Sequence, residues 1–453
     1  MPGTVGSPIS ASLRTGPDYG GKVTRKRSSN SGGGTIIGGR SGHKFVLTDR
    51  IKDMDNDLKN TSVKGFWWKR FFYSATGATN DYELGPNWFA SVMGTGIIAN
   101  AAASLPVFSD KLHGFALIVW CLASFMLIGL VLATCALLFQ RQNVWKKHFR
   151  DPMMAQFYGA PPMAMLTVAG GTLLLGDNVI GQEFAHKITW ALWFIGTITG
   201  LGSAIIIPYR LFTKFKVRQD SAFGGWLMPV VPPMVSAAIG AMLVPYTPVG
   251  VLRETMFYLC FTMFGLSLVA ALIIISMIWS RLAHHGTSGT SRVPTLWIVL
   301  GPLGQSMTAA GILGTVAKGA VPSQIAHGFE LFAVLYSVPI FGFVLLWTCL
   351  ATLLTLRARR RQMRFALTYW AFTFPVGTCV TGIAQLAHHT DLPLFKWASI
   401  FYYIGLLTAW AVAAFGTTKG MITGHLFRPS PSSVTPIISV KEPNNPGDKE
   451  DDT

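Results

Sequence analysis

The chain has 453 residues, of which 50% are hydrophobic and 13% are charged, and its mean hydropathy is +0.42. Its long apolar runs, with charges confined between them, largely exclude a soluble protein whose core would bury those runs. A net charge of +17 would suit nucleic acid as a partner. Because the Lys and Arg residues are placed in the loops between apolar runs, they instead favour a protein that lies in a membrane and binds no nucleic acid.

The two ends of the chain differ from its middle. Residues 1–63 are rich in Gly, Ser, Lys and Arg and lack hydrophobic periodicity, which predicts a disordered basic tail. Residues 64–85 mix aromatic rings with cations, a combination that suits the membrane interface. Residues 418–453 contain several prolines and end in Glu450-Asp451-Asp452, so a second disordered tail is expected there. Both tails are predicted to be cytoplasmic, and residues 86–417 to form the transmembrane domain.

Apolar stretches of about 20 residues match the thickness of a bilayer at a rise of 1.5 Å per residue. Ten such stretches occur within the predicted domain, at 87–105, 112–139, 161–176, 188–209, 227–246, 254–279, 295–316, 326–356, 367–387 and 395–415. They predict an all-α integral membrane protein with about ten transmembrane helices. The first of these spans is expected to direct insertion, because no cleavable signal peptide precedes Pro86.

Positive charge is distributed unevenly between the two sets of loops. One set carries Arg141, Lys146, Lys147, Arg150, Arg210, Lys214, Lys216, Arg218, Arg281, Arg292, Arg357, Arg359, Arg360, Arg361 and Arg364. The opposite set carries only Lys111, Lys187, Arg253, Lys318 and Lys396. Cytoplasmic loops hold the excess of Lys and Arg. We therefore expect a multi-pass protein of the plasma membrane with both termini in the cytoplasm.

Five spans share one design, in which an aromatic residue is followed four to six positions later by a helix breaker. The pairs are Trp88 with Gly94 and Gly96, Phe157 with Pro161 and Pro162, Trp226 with Pro232 and Pro233, Trp297 with Gly301 and Pro302, and Trp370 with Pro375. The spans at 113–139 and 254–279 contain no proline. A broken membrane helix is tolerated only where its backbone is buried in protein or lines a watery path. The pattern predicts five helical hairpins, with an inner ring of broken odd-numbered helices around a central pore.

The broken spans are suited to anions. Beyond each break a half-helix begins, and its N–H groups and positive dipole end would face the pore. These spans carry no Lys, Arg, Asp or Glu and offer neutral groups instead, which favours weak binding and fast release. The hydroxyls and amides are Ser91, Thr95, Asn100, Ser236, Gln305, Ser306, Thr308, Thr373, Thr378 and Thr381. The predicted anion pathway comprises Gly94, Thr95, Gly96, Pro161, Pro162, Pro232, Pro233, Gly301, Pro302, Gln305, Thr373 and Pro375; alternatively, these residues only permit close helix packing.

Three segments resemble a known family. Pro-Asn-Trp-Phe-Ala-Ser-Val-Met-Gly-Thr-Gly-Ile at 86–97, Gly-Pro-Leu-Gly-Gln at 301–305 and Trp-Ala-Phe-Thr-Phe-Pro-Val-Gly-Thr at 370–378 resemble the tellurite-resistance/dicarboxylate transporter family. That family includes bacterial tellurite-resistance proteins, malate permeases, fungal sulfite pumps and the slow anion channels of plants. The resemblance covers about 86–416, and the second segment is more similar to the sulfite pumps than to the channels.

The resemblance implies a ring of five hairpins, a homotrimer with one pore per subunit, and a gate. Channel members close their pore with a phenylalanine that matches Phe374. A ring at this position would narrow a hydrophobic constriction, and its rotation would open it. Without the resemblance, Phe374 would be one of 30 phenylalanines and most simply a core residue.

Transport of small anions is therefore the expected function, as sulfite or bisulfite efflux or as transport of a C4-dicarboxylate such as malate. A gated channel for chloride or nitrate with uncoupled flux is the alternative. Glu330 and His327 lie three apart on one helix face and would form either a proton relay or a solvated pair. No metal-ligand spacing, catalytic constellation or nucleotide motif is present, so no enzyme activity, metal or cofactor is predicted.

Overall fold

The computed structural model describes residues 84–140, 144–215, 217–287, 289–423 and 426, and within these ranges the chain is helical and has no strand. The tail at 1–63, most of the interfacial segment at 64–85 and all but a few residues of the tail at 418–453 lie outside them. The α-helices are α1 (Phe89–Ser104), α2 (Ser109–Gln140), α3 (Val144–Arg150), α4 (Pro152–Gln156), α5 (Ala160–Leu175), α6 (Asp177–Ile180), α7 (Gln182–Lys214), α8 (Pro232–Leu243), α9 (Val251–His285), α10 (Leu300–Val316), α11 (Ser323–Arg360), α12 (Phe374–Thr390) and α13 (Pro393–Ile422).

The long helices α2, α7, α9, α11 and α13 have 30 to 38 residues and present apolar side chains to the outside. Phe125 of α2 is 74% exposed, and Leu335 of α11 and Phe401 of α13 are similarly exposed. Apolar surface of this extent on a helix longer than a bilayer is wide is suited to lipid. In the described ranges, six helical segments are long and apolar enough to cross a membrane: these five and Thr290–Gly319, which contains α10.

The short helices α1, α5, α8, α10 and α12 have 12 to 17 residues and are almost entirely buried. Each packs against the long helix that follows it, so α1 contacts α2, α5 contacts α7, α8 contacts α9, α10 contacts α11 and α12 contacts α13. The short helices also contact one another in series, from α1 through α5, α8, α10 and α12 back to α1. Because other helices surround them, their length is not constrained by contact with lipid.

Each short helix follows a segment of 3-10 helix that contains the aromatic residue of the sequence pattern. These segments are Pro86–Trp88, Phe157–Gly159, Gly224–Leu227, Thr290–Val299 and Leu367–Phe372. Helices α5, α8 and α12 have proline at one of their first two positions. Proline is favourable there because the first turn of a helix needs no N–H donor and the ring fixes φ. The predicted breaks are therefore present at these prolines.

The predicted break at Gly94 and Gly96 is wrong, because α1 is continuous through both residues. The irregular segment comes earlier, at Pro86–Trp88. The glycines have a packing role instead: a Cβ on Gly94 would lie 2.1 Å from Thr373 Oγ1, and a Cβ on Gly96 would lie 3.0 Å from Thr167 Cγ2. Helix α1 can therefore approach α5 and the start of α12 this closely only because these two residues are glycines and have no side chain.

Candidate functional site

A cavity of about 600 Å³, here called the vestibule, lies among the C-terminal halves of all five short helices. Asn100 of α1, Gly170 of α5, Ile239 of α8, Gln305 of α10 and Thr381 of α12 each contribute to its wall. Its volume is in the range of small-molecule sites, and five separate elements contribute to one space. The vestibule therefore has room for a small anion together with water.

A second, much smaller cavity, here called the inner cavity, lies at the opposite ends of the same helices. Its volume is about 30 Å³, roughly that of one water molecule. The lining is mostly apolar and includes Met93, Met163, Val231, Ile298 and Phe374. All five short helices run in the same direction between the two cavities, with their N-terminal ends at the inner one.

A narrow section separates the two cavities. Gly301 lines the inner cavity and Gln305 lines the vestibule, and these residues are one turn apart, about 6 Å along α10. Phe374 is fully buried at the N-terminus of α12, beside Pro375. The Phe374 ring lines the inner cavity at the end of this section.

Most hydroxyls of the short helices are engaged with backbone. Ser91 donates to Trp88 O, Thr373 to Trp370 O, and Thr378 to Pro375 O, all at 2.7 to 2.8 Å. The hydroxyls of Thr308 and Thr381 lie 2.7 Å apart and share a hydrogen bond between α10 and α12. These groups stabilise local backbone and leave few hydroxyl donors for a ligand.

The side-chain amides are different. Gln305 is 4% exposed and Gln385 is half-buried, and both line the vestibule. Among the residues that the structure describes, neither amide has a hydrogen-bond partner. Asn100 Nδ2 donates to Thr167 O at 3.0 Å and has a second N–H. These amides on α1, α10 and α12 can donate to an anion without carrying a charge themselves.

The half-helix ends provide fewer donors than the sequence suggested. The first-turn prolines have no N–H group. Neighbouring N–H groups are already bonded to the preceding segment, since Met234 N donates to Val231 O and Gly377 N donates to Thr373 O, each at 2.9 Å. At α8 and α12, the N-terminal helix ends would therefore attract an anion mainly through the positive partial charge of the helix dipole and only weakly through free N–H donors.

The only formal charges among the vestibule-lining residues are those of Asp391, directly after α12, and Lys396, in the first turn of α13. We call this part of the vestibule its rim. Lys396 Nζ donates to Asp391 Oδ1 at 2.5 Å. This hydrogen bond, together with the Lys396 charge, holds the pKa of the Asp391 carboxyl below its usual range. Asp391 is exposed, and it neutralises the lysine that would otherwise face arriving anions.

Three of the predicted pathway residues and the predicted gate line a cavity: Gln305 lines the vestibule, and Gly301, Pro375 and the gate residue Phe374 line the inner cavity. The remaining ones lie at helix contacts or in first turns. Thr95 accepts a hydrogen bond from Trp410 Nε1 of α13 at 3.1 Å, and Pro232 and Pro162 lie beside Gly200 of α7. Gly94, Gly96 and Thr373 lie at contacts of α1, and Pro161, Pro233 and Pro302 lie in the first turns of α5, α8 and α10.

The pair Glu330 and His327 lies away from both cavities. Glu330 Oε1 accepts from Lys318 Nζ at 2.9 Å, and His327 Nδ1 lies 3.8 Å from Glu330 Oε2. The His327 and Lys318 side chains are largely exposed. The solvated interpretation of this pair is therefore preferred over a buried proton relay.

The sequence interpretation missed Gln385, His388, Asp391 and Lys396 as vestibule residues. The first two were detectable, because Thr381, Gln385 and His388 recur at spacings of four and three on the last broken span, which places them on one helix face. Asp391 and Lys396 gave no such signal, because their pairing depends on the turn between two helices.

Comparison with known proteins identifies the family. The SLAC1 voltage-dependent anion channel family matches residues 83–418. A sulfite efflux pump of Arthroderma benhamiae is 27% identical over 353 residues, which cover 76% of this chain and 92% of the pump. An uncharacterized transporter of Methanocaldococcus jannaschii is 27% identical over 76% of this chain and 95% of its own length.

A malic acid transport protein of Schizosaccharomyces pombe is 21% identical over 76% of this chain and 80% of its own. The family resemblance predicted from the three motifs is thereby confirmed, as is the expectation of a transporter or channel rather than an enzyme. The chain is a multi-pass membrane protein of the SLAC1 family of anion channels and transporters.

Proposed function

We propose that the five short helices form an inner ring around one anion pathway and that the long helices surround them as five hairpins. Support comes from the closed series of contacts among α1, α5, α8, α10 and α12 and from the pairing of each with the long helix after it. In this proposal all ten helices cross the membrane. The short helices, at 12 to 17 residues, fall below the usual spanning length of about 20 residues because they are enclosed by protein.

The proposed pathway runs from the vestibule through the narrow section at Phe374 to the inner cavity. Phe374 is the proposed gate, and Gly301, Gln305 and Pro375 line the pathway beside it. The other predicted pathway residues set its width through helix packing. A ring that excludes water blocks ions by dewetting, and its rotation would admit a hydrated anion.

The substrate class proposed is a monovalent oxyanion that accepts and donates hydrogen bonds, with bisulfite as the first candidate. The observation that carries this proposal is the unpartnered Gln305 amide in a vestibule whose described interior has no formal charge. Neutral donors stabilise one negative charge more easily than two, because the cost of removing an ion from water rises steeply with its charge. The oxygen of the amide can also accept a hydrogen bond from a hydroxyl group of the ligand.

The names of the relatives support sulfite or bisulfite over malate, since the sulfite efflux pump is the more similar of the two. Malate, a dianion at neutral pH, is the second candidate. Uncoupled channel flux of chloride or nitrate is the alternative mechanism, and the voltage-dependent channels that give the family its description support it. In the described part of the chain, no buried carboxylate or imidazole pair faces the pathway to couple protons.

We also propose that the protein lies in the plasma membrane with both termini in the cytoplasm, so that the vestibule opens to the outside. The excess of Lys and Arg on the opposite face supports this orientation. The four-part division of the chain, with cytoplasmic tails at 1–63 and 418–453, belongs to the same proposal. A homotrimer follows from the family resemblance.

The direct test is anion flux in proteoliposomes loaded with bisulfite, malate, nitrate or chloride in competition. Replacing Gln305 by Leu removes a donor to a charged ligand, a bond that contributes about 1.5–3 kcal/mol, so bisulfite flux should fall about ten-fold or more. Gln305→Glu should reduce flux further, because a carboxylate repels anions. Gln324→Glu, on an exposed position of α11, is the matched control and should leave flux unchanged. Equal flux for all variants would contradict the assignment of Gln305.

A further inference from the structure

An arginine near the end of α9 is buried, and in the described ranges it makes no hydrogen bond to a carboxylate. Arg281 is 7% exposed, and its Nε donates to the carbonyl oxygen of Asp220 at 2.9 Å. In the described ranges, this is the only hydrogen bond of its guanidinium, which has five N–H groups. Burying most of a charged side chain is costly unless its hydrogen-bond donors are paired. The side chain therefore favours an anionic ligand at its remaining donors.

A second arginine adds to the same positive charge. The guanidinium of Arg292 lies over the ring of Phe223, 5.6 Å from its centroid. Arg292 is near enough for its charge to repel that of Arg281, while Asp220 attracts it. The carboxylate of Asp220 is already bonded to Arg218 Nη2 at 3.1 Å. Asp220 thus offsets one of the three positive charges of Arg218, Arg281 and Arg292.

The position of this cluster along the membrane normal indicates the kind of ligand. The apolar run of α9 ends at Trp279, which is exposed. Arg281 follows two residues later, about 3 Å farther along the helix axis. Exposed tryptophans mark the depth of lipid head groups in membrane proteins. The cluster lies on the face that carries the basic loops, where anionic lipids are enriched if that face is cytoplasmic.

We infer that Arg281 and Arg292 form a binding site for the phosphate group of an anionic membrane lipid. Arginine binds phosphate through two parallel N–H bonds, and both side chains here are held in place, one by a backbone carbonyl and one by an aromatic ring. A phosphate oxygen would satisfy the free donors of Arg281 and compensate the repulsion between the two cations. The fatty-acid chains would lie against the apolar surface of α9.

The site is tested by native mass spectrometry of the full chain in detergent, with phosphatidic acid, phosphatidylcholine or inorganic phosphate added. We expect one phosphatidic acid to remain bound where phosphatidylcholine does not, and Arg292→Gln to weaken its retention about ten-fold, in line with a bond to a charged group. Arg292 is exposed, so this variant should fold. Arg292→Lys should restore little, because lysine lacks the planar fork.

Arg357→Gln is the matched control, because it removes the same charge from an exposed position on the same face. Equal loss of lipid in Arg292→Gln and Arg357→Gln would show attraction to surface charge and would overturn the site. Displacement of the lipid by inorganic phosphate at similar concentration would overturn the lipid as its ligand. Lipid binding that appears only after removal of residues 427–453 would also overturn it, because the acidic end of the chain would then be the ligand of these arginines.

Discussion

Gly304 and Gly382 face each other where α10 and α12 are closest: a Cβ on Gly382 would lie 2.6 Å from the carbonyl oxygen of Gly304. Gly304 in turn lies against the backbone of α12, since a Cβ on Gly304 would lie 2.5 Å from the backbone nitrogen of Cys379. The shared hydrogen bond of Thr308 and Thr381 lies close by on the vestibule wall. The pair of glycines therefore sets the spacing of two helices that line the proposed pathway.

Replacing either glycine by alanine should destabilise the protein, because the clash involves backbone that cannot rotate away. Overpacking of this kind costs about 1–3 kcal/mol. We expect a lower midpoint of thermal unfolding in detergent for Gly304→Ala and Gly382→Ala. Gly342→Ala on α11 and Gly405→Ala on α13 are controls, because a Cβ at either position would meet open space. These should be neutral or more stable by about 0.5–1 kcal/mol, and a similar loss in all four would contradict the packing argument.

The ion pair at the rim predicts the effect of Asp391→Asn. The variant leaves the Lys396 charge free at the mouth of the vestibule, so nitrate flux at low ionic strength should rise, with less effect at high salt. Glu183→Gln is the control, since it breaks the exposed pair with Lys187, which does not line the vestibule. An equal rise in the control would indicate a general surface effect.

The same pair predicts how flux depends on pH. Because the pKa of Asp391 is lowered in the folded protein, the pair is intact above the ordinary pKa of an aspartate and is lost only as pH falls through the lowered value. Wild-type nitrate flux should not change through this group between pH 8 and about pH 5. A stepwise rise within that range that is absent in Asp391→Asn would contradict the assignment.

The orientation predicts which positions are accessible from outside. In a cysteine-free background, Val249→Cys should react with a membrane-impermeant thiol reagent on intact cells, because this exposed residue lies at the vestibule face. Ser291→Cys, exposed on the opposite face, should react only after permeabilisation. The opposite pattern would place the vestibule in the cytoplasm.

The sequence was informative where local chemistry determines structure. Proline at 161, 232 and 375 predicted the start of three of the five short helices, because proline is favourable in the first turn of a helix. The glycines at 94 and 96 were misinterpreted as breaks, since the contact of Gly94 with Thr373 joins residues far apart in the chain. The hydrogen bonds from Ser and Thr hydroxyls to backbone carbonyls could not be predicted from the sequence either, because they depend on side-chain rotamers.

The gate at Phe374 is the central claim, and it is tested by anion flux through Phe374→Ala in proteoliposomes, normalised to folded protein. Phe257→Ala is the control, because Phe257 is also fully buried but packs against Phe329 between α9 and α11, away from both cavities. Either truncation should remove about 3–5 kcal/mol of stability. The account predicts a higher flux for Phe374→Ala and no increase for Phe257→Ala, whereas unchanged or lower flux in folded Phe374→Ala protein would contradict it.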